Sequence, residues 1–174
     1  MFLNYLKNFF LKYKLKSKWQ EVSTQASTNA IQTVGLLVDE SVFVEKQALI
    51  QALIANGFSQ NNITILVYRD QINKKESFSE FTFSSAIVNW NGEIQNTVVT
   101  EFIQTEFDLL ISYYAIEKAI LLLITNNSKA QFKVGFSAID KKFNHLMITT
   151  RPENYSVFVH ELFKYLKILN KIES

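Results

Sequence analysis

Two short apolar runs constrain this chain more than any other feature. Thr33–Val38 (TVGLLV) ends at Asp39, and Ile63–Tyr68 (ITILVY) is apolar and β-branched; runs of that length between polar residues predict buried strands. Between them, Val42–Asn56 repeats apolar residues at Val44, Ala48, Leu49, Ala52 and Leu53. Ser41 is the expected N-cap of that helix and Asn56-Gly57 its stop. A strand, a helix and a strand in this order make a βαβ unit, whose crossover is almost always right-handed and joins parallel strands.

The rest of the chain continues the alternation. Arg69–Ser79 is polar and predicts a loop, and Phe81–Val88 alternates as a short edge-like strand before the turn Asn89-Trp90-Asn91-Gly92. Thr97–Thr105 predicts a helix, Phe107–Ser112 a third central strand, and Ala115–Asn126 a mostly apolar helix. Phe132–Phe136 and Leu146–Thr150 predict two more strands, with Asp140-Lys141-Lys142 as a hairpin-like connection. Pro152 precedes a final helix, Glu153–Ile172, with Val157, Phe158, Leu162, Tyr165, Leu166 and Leu169 on one stripe. Its Lys164, Lys167 and Lys171 gather where they complement the helix dipole. The expected fold is a three-layer α/β domain over residues 33–174, a mostly parallel sheet with helices on both faces.

Ahead of that domain stands a segment of different character. Over Met1–Gln20, Phe2, Leu6, Phe9 and Tyr13 follow one another at spacings of four, three and four, with Leu3 and Phe10 widening the stripe. Lys7, Lys14 and Lys18 fall on another face, so the pattern predicts a basic amphipathic helix. Residues 1–21 hold five lysines against Glu21, a net of +4, while the remaining 153 hold thirteen basic and fifteen acidic side chains, a net of −2. Residues 22–32 (VSTQASTNAIQ) read as a polar linker.

Several function classes are closed by what is missing. Without cysteine there are no disulfides, thiolate metal sites or Cys nucleophiles, which fits the cytoplasm. The longest apolar run, Ala119–Thr125, is far short of the ~18 residues of a membrane span, and lysines interrupt the region where a signal peptide needs an unbroken apolar core. The turn after the first strand reads Val38-Asp39-Glu40-Ser41-Val42. It has no glycine to bring backbone N–H groups onto a phosphate, and two carboxylates that would repel one, so no nucleotide cofactor is expected. His145 and His160 lack a second ligand at helical spacing, and no nucleophile elbow accompanies them. No residue is therefore assigned a catalytic, cofactor-binding or metal-ligating role.

The runs Phe107-Asp108-Leu109-Leu110-Ile111-Ser112, Ser128-Lys129-Ala130-Gln131-Phe132-Lys133-Val134-Gly135 and Leu146-Met147-Ile148 resemble an uncharacterised bacterial family of short α/β proteins. The turn Val88-Asn89-Trp90-Asn91-Gly92 and the basic, aromatic N-terminal segment are similar as well. That family has no assigned activity, so the resemblance implies the fold and carries over no site residue.

Two places are left for function. The candidate partner-binding residues are Lys7, Lys12, Lys14, Lys16, Lys18, Phe9 and Trp19. Lysines with aromatic residues suit another protein or an anionic membrane surface, with a peripheral place at the inner face of the membrane. Nucleic acid suits them less, since five lysines neutralise too few phosphates for tight binding alone, and docking on the chain's own domain is the plainer alternative. The second place is a pocket at the carboxyl ends of the strands, where open α/β sheets bind ligands. Asp39, Arg69, Ser112 and Tyr113 are its candidate residues, with no small molecule specified. The expectation is a non-enzymatic binding or adaptor module acting through the N-terminal helix; the alternative is a small-molecule-binding protein or enzyme using the strand-end pocket.

Overall fold

The computed structural model describes residues 30–73, 75–89 and 91–172. The helix expected over residues 1–20, and with it Lys7, Phe9, Lys12, Lys14, Lys16, Lys18 and Trp19, lies outside them. Six strands form one sheet: β1 (Val34–Asp39), β2 (Ile63–Tyr68), β3 (Phe81–Phe83), β4 (Leu109–Tyr113), β5 (Phe132–Phe136) and β6 (Leu146–Ile148). Four α-helices accompany them among the described residues: α1 (Lys46–Ala55), α2 (Thr97–Gln104), α3 (Ala119–Asn127) and α4 (Tyr155–Ile168). The strand order is β3-β2-β1-β4-β5-β6 and every pairing is parallel. β1 sits at the middle, with Val34 opposite Ile63 on one side and Leu109 on the other.

Side-chain alternation along the strands sends successive residues to two cores. Leu36, Leu109, Ile111 and Val134 pack with Leu49 and Leu53 of α1 and with Phe158, Leu162 and Leu166 of α4. Leu37, Leu66 and Leu110 pack with Val99 and Phe102 of α2 and with the almost wholly buried α3. These are the three layers the alternation predicts.

Local chemistry moves several boundaries. α1 begins at Lys46 rather than Val42, because Ser41 does not cap it: the Ser41 N–H donates to Asp39 Oδ1 at 3.1 Å, and the Ser41 hydroxyl accepts from the Asp70 N–H at 2.8 Å. Gly57, at φ 123°, ends the helix as expected, in a backbone region open to glycine. β3 stops at Phe83 instead of reaching Val88. The Ser84 hydroxyl accepts from Ala86 N–H and starts a 3₁₀ turn over Ser85–Ile87. β5 and β6 are parallel, so their connection is a crossover through the 3₁₀ turn Lys141–Phe143 and not a hairpin. On α4 the buried stripe is Phe158, Val159, Leu162, Phe163 and Leu166, whereas Val157, Tyr165 and Leu169 face outward.

Candidate functional site

In this strand order the chain runs outward from β1 to β2 and β3, then returns to the other side of β1 at β4. The carboxyl ends of β1 and β4 flank the point where a sheet of this kind opens a crevice for ligands. Asp39-Glu40, Tyr68-Arg69-Asp70 and Ser112-Tyr113-Tyr114 do converge on this end, since Asp39 is in register with Tyr68 and Val38 with Tyr113.

The protein's own charges pair with one another at this end. Asp39 is fully buried, and Lys118, on the loop from β4 to α3, places its Nζ 2.8 Å from Asp39 Oδ2. The same Nζ is 2.8 Å from Asp70 Oδ2 and 4.8 Å from the centre of the Tyr68 ring. The Tyr68 hydroxyl donates to Asp70 Oδ1 at 2.9 Å. Burial works to raise the Asp70 carboxyl, but the hydrogen bonds from Lys118 and Tyr68 outweigh it and hold the group below its ordinary value. Burial, then the hydrogen bond to Asp70, push the Tyr68 phenol up.

Beside these four residues stands a second cluster. Glu40 lies between Lys46 (3.2 Å) and Arg69 (2.8 Å); Arg69 also reaches Glu76 at 2.8 Å, and Lys46 pairs with Glu80. Burial opposes ionisation of Glu80 as well, yet the hydrogen bond from Lys46 keeps it below its ordinary value. Five carboxylates thus surround three cations, an excess of two negative charges within these paired groups. Such a rim repels phosphate, and each of its three cations is already paired.

The four pocket residues expected from the sequence do not form one pocket. Ser112 and Tyr113 are successive on β4, so they face opposite sides of the sheet. The Ser112 hydroxyl lies 3.1 Å from Thr125 Oγ1, under α3. Tyr113 packs among Phe43, Phe136 and Phe158 at centroid distances of 4.8, 4.9 and 4.9 Å, and its hydroxyl donates to the Pro152 carbonyl at 2.7 Å. Asp39 and Arg69 do meet the rim but pair with different partners. Arg69 takes Glu40 and Glu76 as its partners, not the neighbouring Asp70 or Asp39. Lys118, Lys46 and Glu80 complete the rim without any motif to mark them in the sequence. Only the position of Lys118, just after a strand's carboxyl end, hints at its role.

A second polar cluster lies beneath α3. The Tyr114 hydroxyl is 2.7 Å from Thr125 Oγ1, and Lys133 Nζ donates to the Thr125 and Asn126 carbonyls at 2.7 and 3.3 Å. Burial pushes the Lys133 amine down to about 8. The Asn144 amide, also buried, lies against Gly135, where a Cβ would come within 2.6 Å of its Nδ2. His145 accepts the Lys133 N–H on Nδ1 at 2.9 Å and stacks on Phe132, while His160 lies on the exposed side of α4. Among the described residues no group of three or more His, Asp or Glu could hold a metal ion, and no helix is long and apolar enough to cross a membrane. An open depression of about 490 Å³ beside the start of α2, lined by Ile94, Asn96 and Glu101 among others, gathers no reactive groups.

One family's model, described as a family of unknown function (DUF6913), matches residues 7–169. No curated protein and no solved structure matches the chain.

Proposed function

The chain belongs to this family of unknown function, DUF6913, and we propose that it is a non-enzymatic binding or adaptor module that engages an anionic surface through residues 1–21. The observation that carries this reading is the Lys118–Asp39 pair. The place where such a sheet takes a small molecule is occupied by a buried carboxylate and its own cation. The competing reading, a ligand or substrate in the strand-end crevice, requires Lys118 to leave both Asp39 and Asp70. Charge then directs attention to the other end of the chain. Residues 1–21 carry five lysines while the rest of the chain is net negative, and all five fall within the matched span 7–169. The module works in the cytoplasm, peripherally on the inner face of the membrane where its partner is lipid.

The test is association of the full chain with phosphatidylglycerol vesicles by co-sedimentation and with RNA by gel shift. Lys7, Lys12, Lys14, Lys16 and Lys18 are replaced together by Gln. Each lysine near an anionic membrane is worth about 1 kcal/mol, so binding falls at least ~10-fold at low salt, and the difference shrinks as salt screens the charges. Equal binding by variant and wild type, or no binding by either to both probes, overturns the reading. So does a small molecule that co-purifies with the chain and displaces Lys118 from Asp39.

A further inference from the structure

We propose that the C-terminal end of α4 is the second half of this contact and that the surface it meets is an anionic lipid bilayer; the proposal rests on the reading of residues 1–21 given above. Three side chains on the last turns of α4 are turned outward: Ile168 is 64 % exposed, Leu169 47 % and Tyr165 37 %. Lys164 and Lys167 are exposed among them. Lys167 forms no ion pair among the described residues, and Lys164 pairs only with its neighbour Glu161 at 3.1 Å. Apolar and phenolic side chains flanked by lysines are the chemistry of a headgroup–acyl boundary, where rings and branched chains enter and ammonium groups stay with the phosphates.

The chain's own connectivity brings residue 31, on the domain side of the polar linker, to this place. The helix closes at Asn170, in the left-handed region at φ 53°, and the Lys171 N–H turns back to the Leu166 carbonyl at 2.8 Å. The Lys171 carbonyl then accepts the Ile31 N–H at 2.8 Å. Residue 31 is therefore fixed within one turn of Ile168 and Leu169, and the ten residues back to Glu21 reach at most ~35 Å. The described chain thus begins beside the α4 patch.

The other end argues for orientation. Tyr155, which opens α4, lies beside Phe43 at the carboxyl ends of the strands, with ring centroids 6.5 Å apart. The rim with its two excess carboxylates is thus at the far end of α4 from the patch. An anionic surface attracts one end and repels the other. Three apolar side chains also fall far short of the ~800 Å² per partner that a stable protein interface buries, whereas a bilayer needs only a few anchors added to charge.

The experiment uses the full chain and vesicles of phosphatidylcholine with or without phosphatidylglycerol. Ile168→Ser with Leu169→Ser is expected to weaken binding to the anionic vesicles about 10-fold, the loss of two partly inserted side chains, with the unfolding midpoint unchanged. Ile168→Trp gives a second readout that does not depend on tolerance of serine. Its added emission shifts to shorter wavelength on anionic vesicles and is quenched by lipids brominated near the headgroup. If the serine variant binds like the wild type, or the new tryptophan neither shifts nor is quenched, the proposal fails while the reading of residues 1–21 stands. A wild-type chain that shifts RNA but ignores vesicles has the same consequence. A chain that binds neither overturns both.

Discussion

The two faces of the sheet are both apolar but differ in the polar groups they bury. Against α1 and α4 the interior is aromatic: the Phe158 ring centre lies 4.9 Å from that of Tyr113 and 4.8 Å from that of Phe136, and Phe58 meets Phe163 at 4.8 Å. The hydroxyl of Tyr113 escapes to a backbone carbonyl at the rim. Against α3 the same strands β4 and β5, with the segments that flank them, bury Ser112, Tyr114, Thr125, Lys133 and Asn144. The first face is held by shape, since tilted and edge-on rings interlock in a way that a smaller side chain cannot copy. The second is apolar too, but it also buries polar groups, most of which depend on a neighbour for satisfaction. Loss of volume should therefore damage the first face most, and pH or a change of partner the second.

The largest effect is expected from Phe158→Ala, which opens a cavity beside the rings of Tyr113 and Phe136 and should cost about 3–5 kcal/mol of unfolding free energy. Urea denaturation measures it; a loss near 1 kcal/mol would mean that the aromatic face collapses to fill the gap and is not held by shape.

Next comes Lys133. Its folded-state value of about 8 lies below the 10.5 of an exposed lysine, so between the two the unfolded chain binds more protons and stability rises with pH. The contribution is present above the unfolded value and is lost as pH falls through about 8. From pH 7 to 9.5 the wild type should gain roughly 2 kcal/mol that Lys133→Met does not. The window stops there because Tyr68, Tyr113 and Tyr114, whose phenols burial pushes up, work in the opposite direction at higher pH. Parallel pH profiles of the two proteins would break the contrast between the faces.

The smallest expected effect is the most specific. Gly135→Ala places a methyl group against the Asn144 amide. Because that amide has no hydrogen-bond partner among the described residues to hold it, it can turn aside, and the cost should be about 1 kcal/mol. In an Asn144→Ala background the cost should vanish, a coupling that a double-mutant cycle reads directly. An unchanged cost in that background would locate the strain in the strand.

How far the sequence reveals these faces depends on how local the cause is. β2 and β5 begin and end where expected, because Ile63–Tyr68 and Phe132–Phe136 are apolar runs with polar residues on either side. The end of β3 and the start of α1 depart from expectation because single hydroxyls, on Ser84 and Ser41, redirect the backbone into turns. The β5–β6 link resembles a hairpin in sequence since nothing in Asp140-Lys141-Lys142 states which way the next strand points. At the strand ends, convergence of Asp39, Arg69 and Tyr113 follows from the alternation of elements, whatever the order of strands. Which partner each takes does not, because Lys118 and Glu80 come from loops 79 and 41 positions away from Asp39 along the chain. Lys133 is legible in principle: a lysine inside the run FKVGF is an anomaly in a strand buried on both faces.

The central place of β1 also bears on how the chain is made. Its partner β2 follows soon after it, but β4 supplies its other edge only much later; Thr33 and Asp108, whose side chains lock the two strands at their start, are 75 residues apart. A ribosome adding roughly 5–20 residues per second takes about 4–15 s to bridge that gap. Throughout it the strand VGLLVD, buried along its whole length in the finished protein, shows a row of unpaired amides and carbonyls to its surroundings. The newborn chain is thus most exposed to wrong partners at the strand that ends up best protected, and a slower passage through residues 84–108 would lengthen that exposure without altering the final fold.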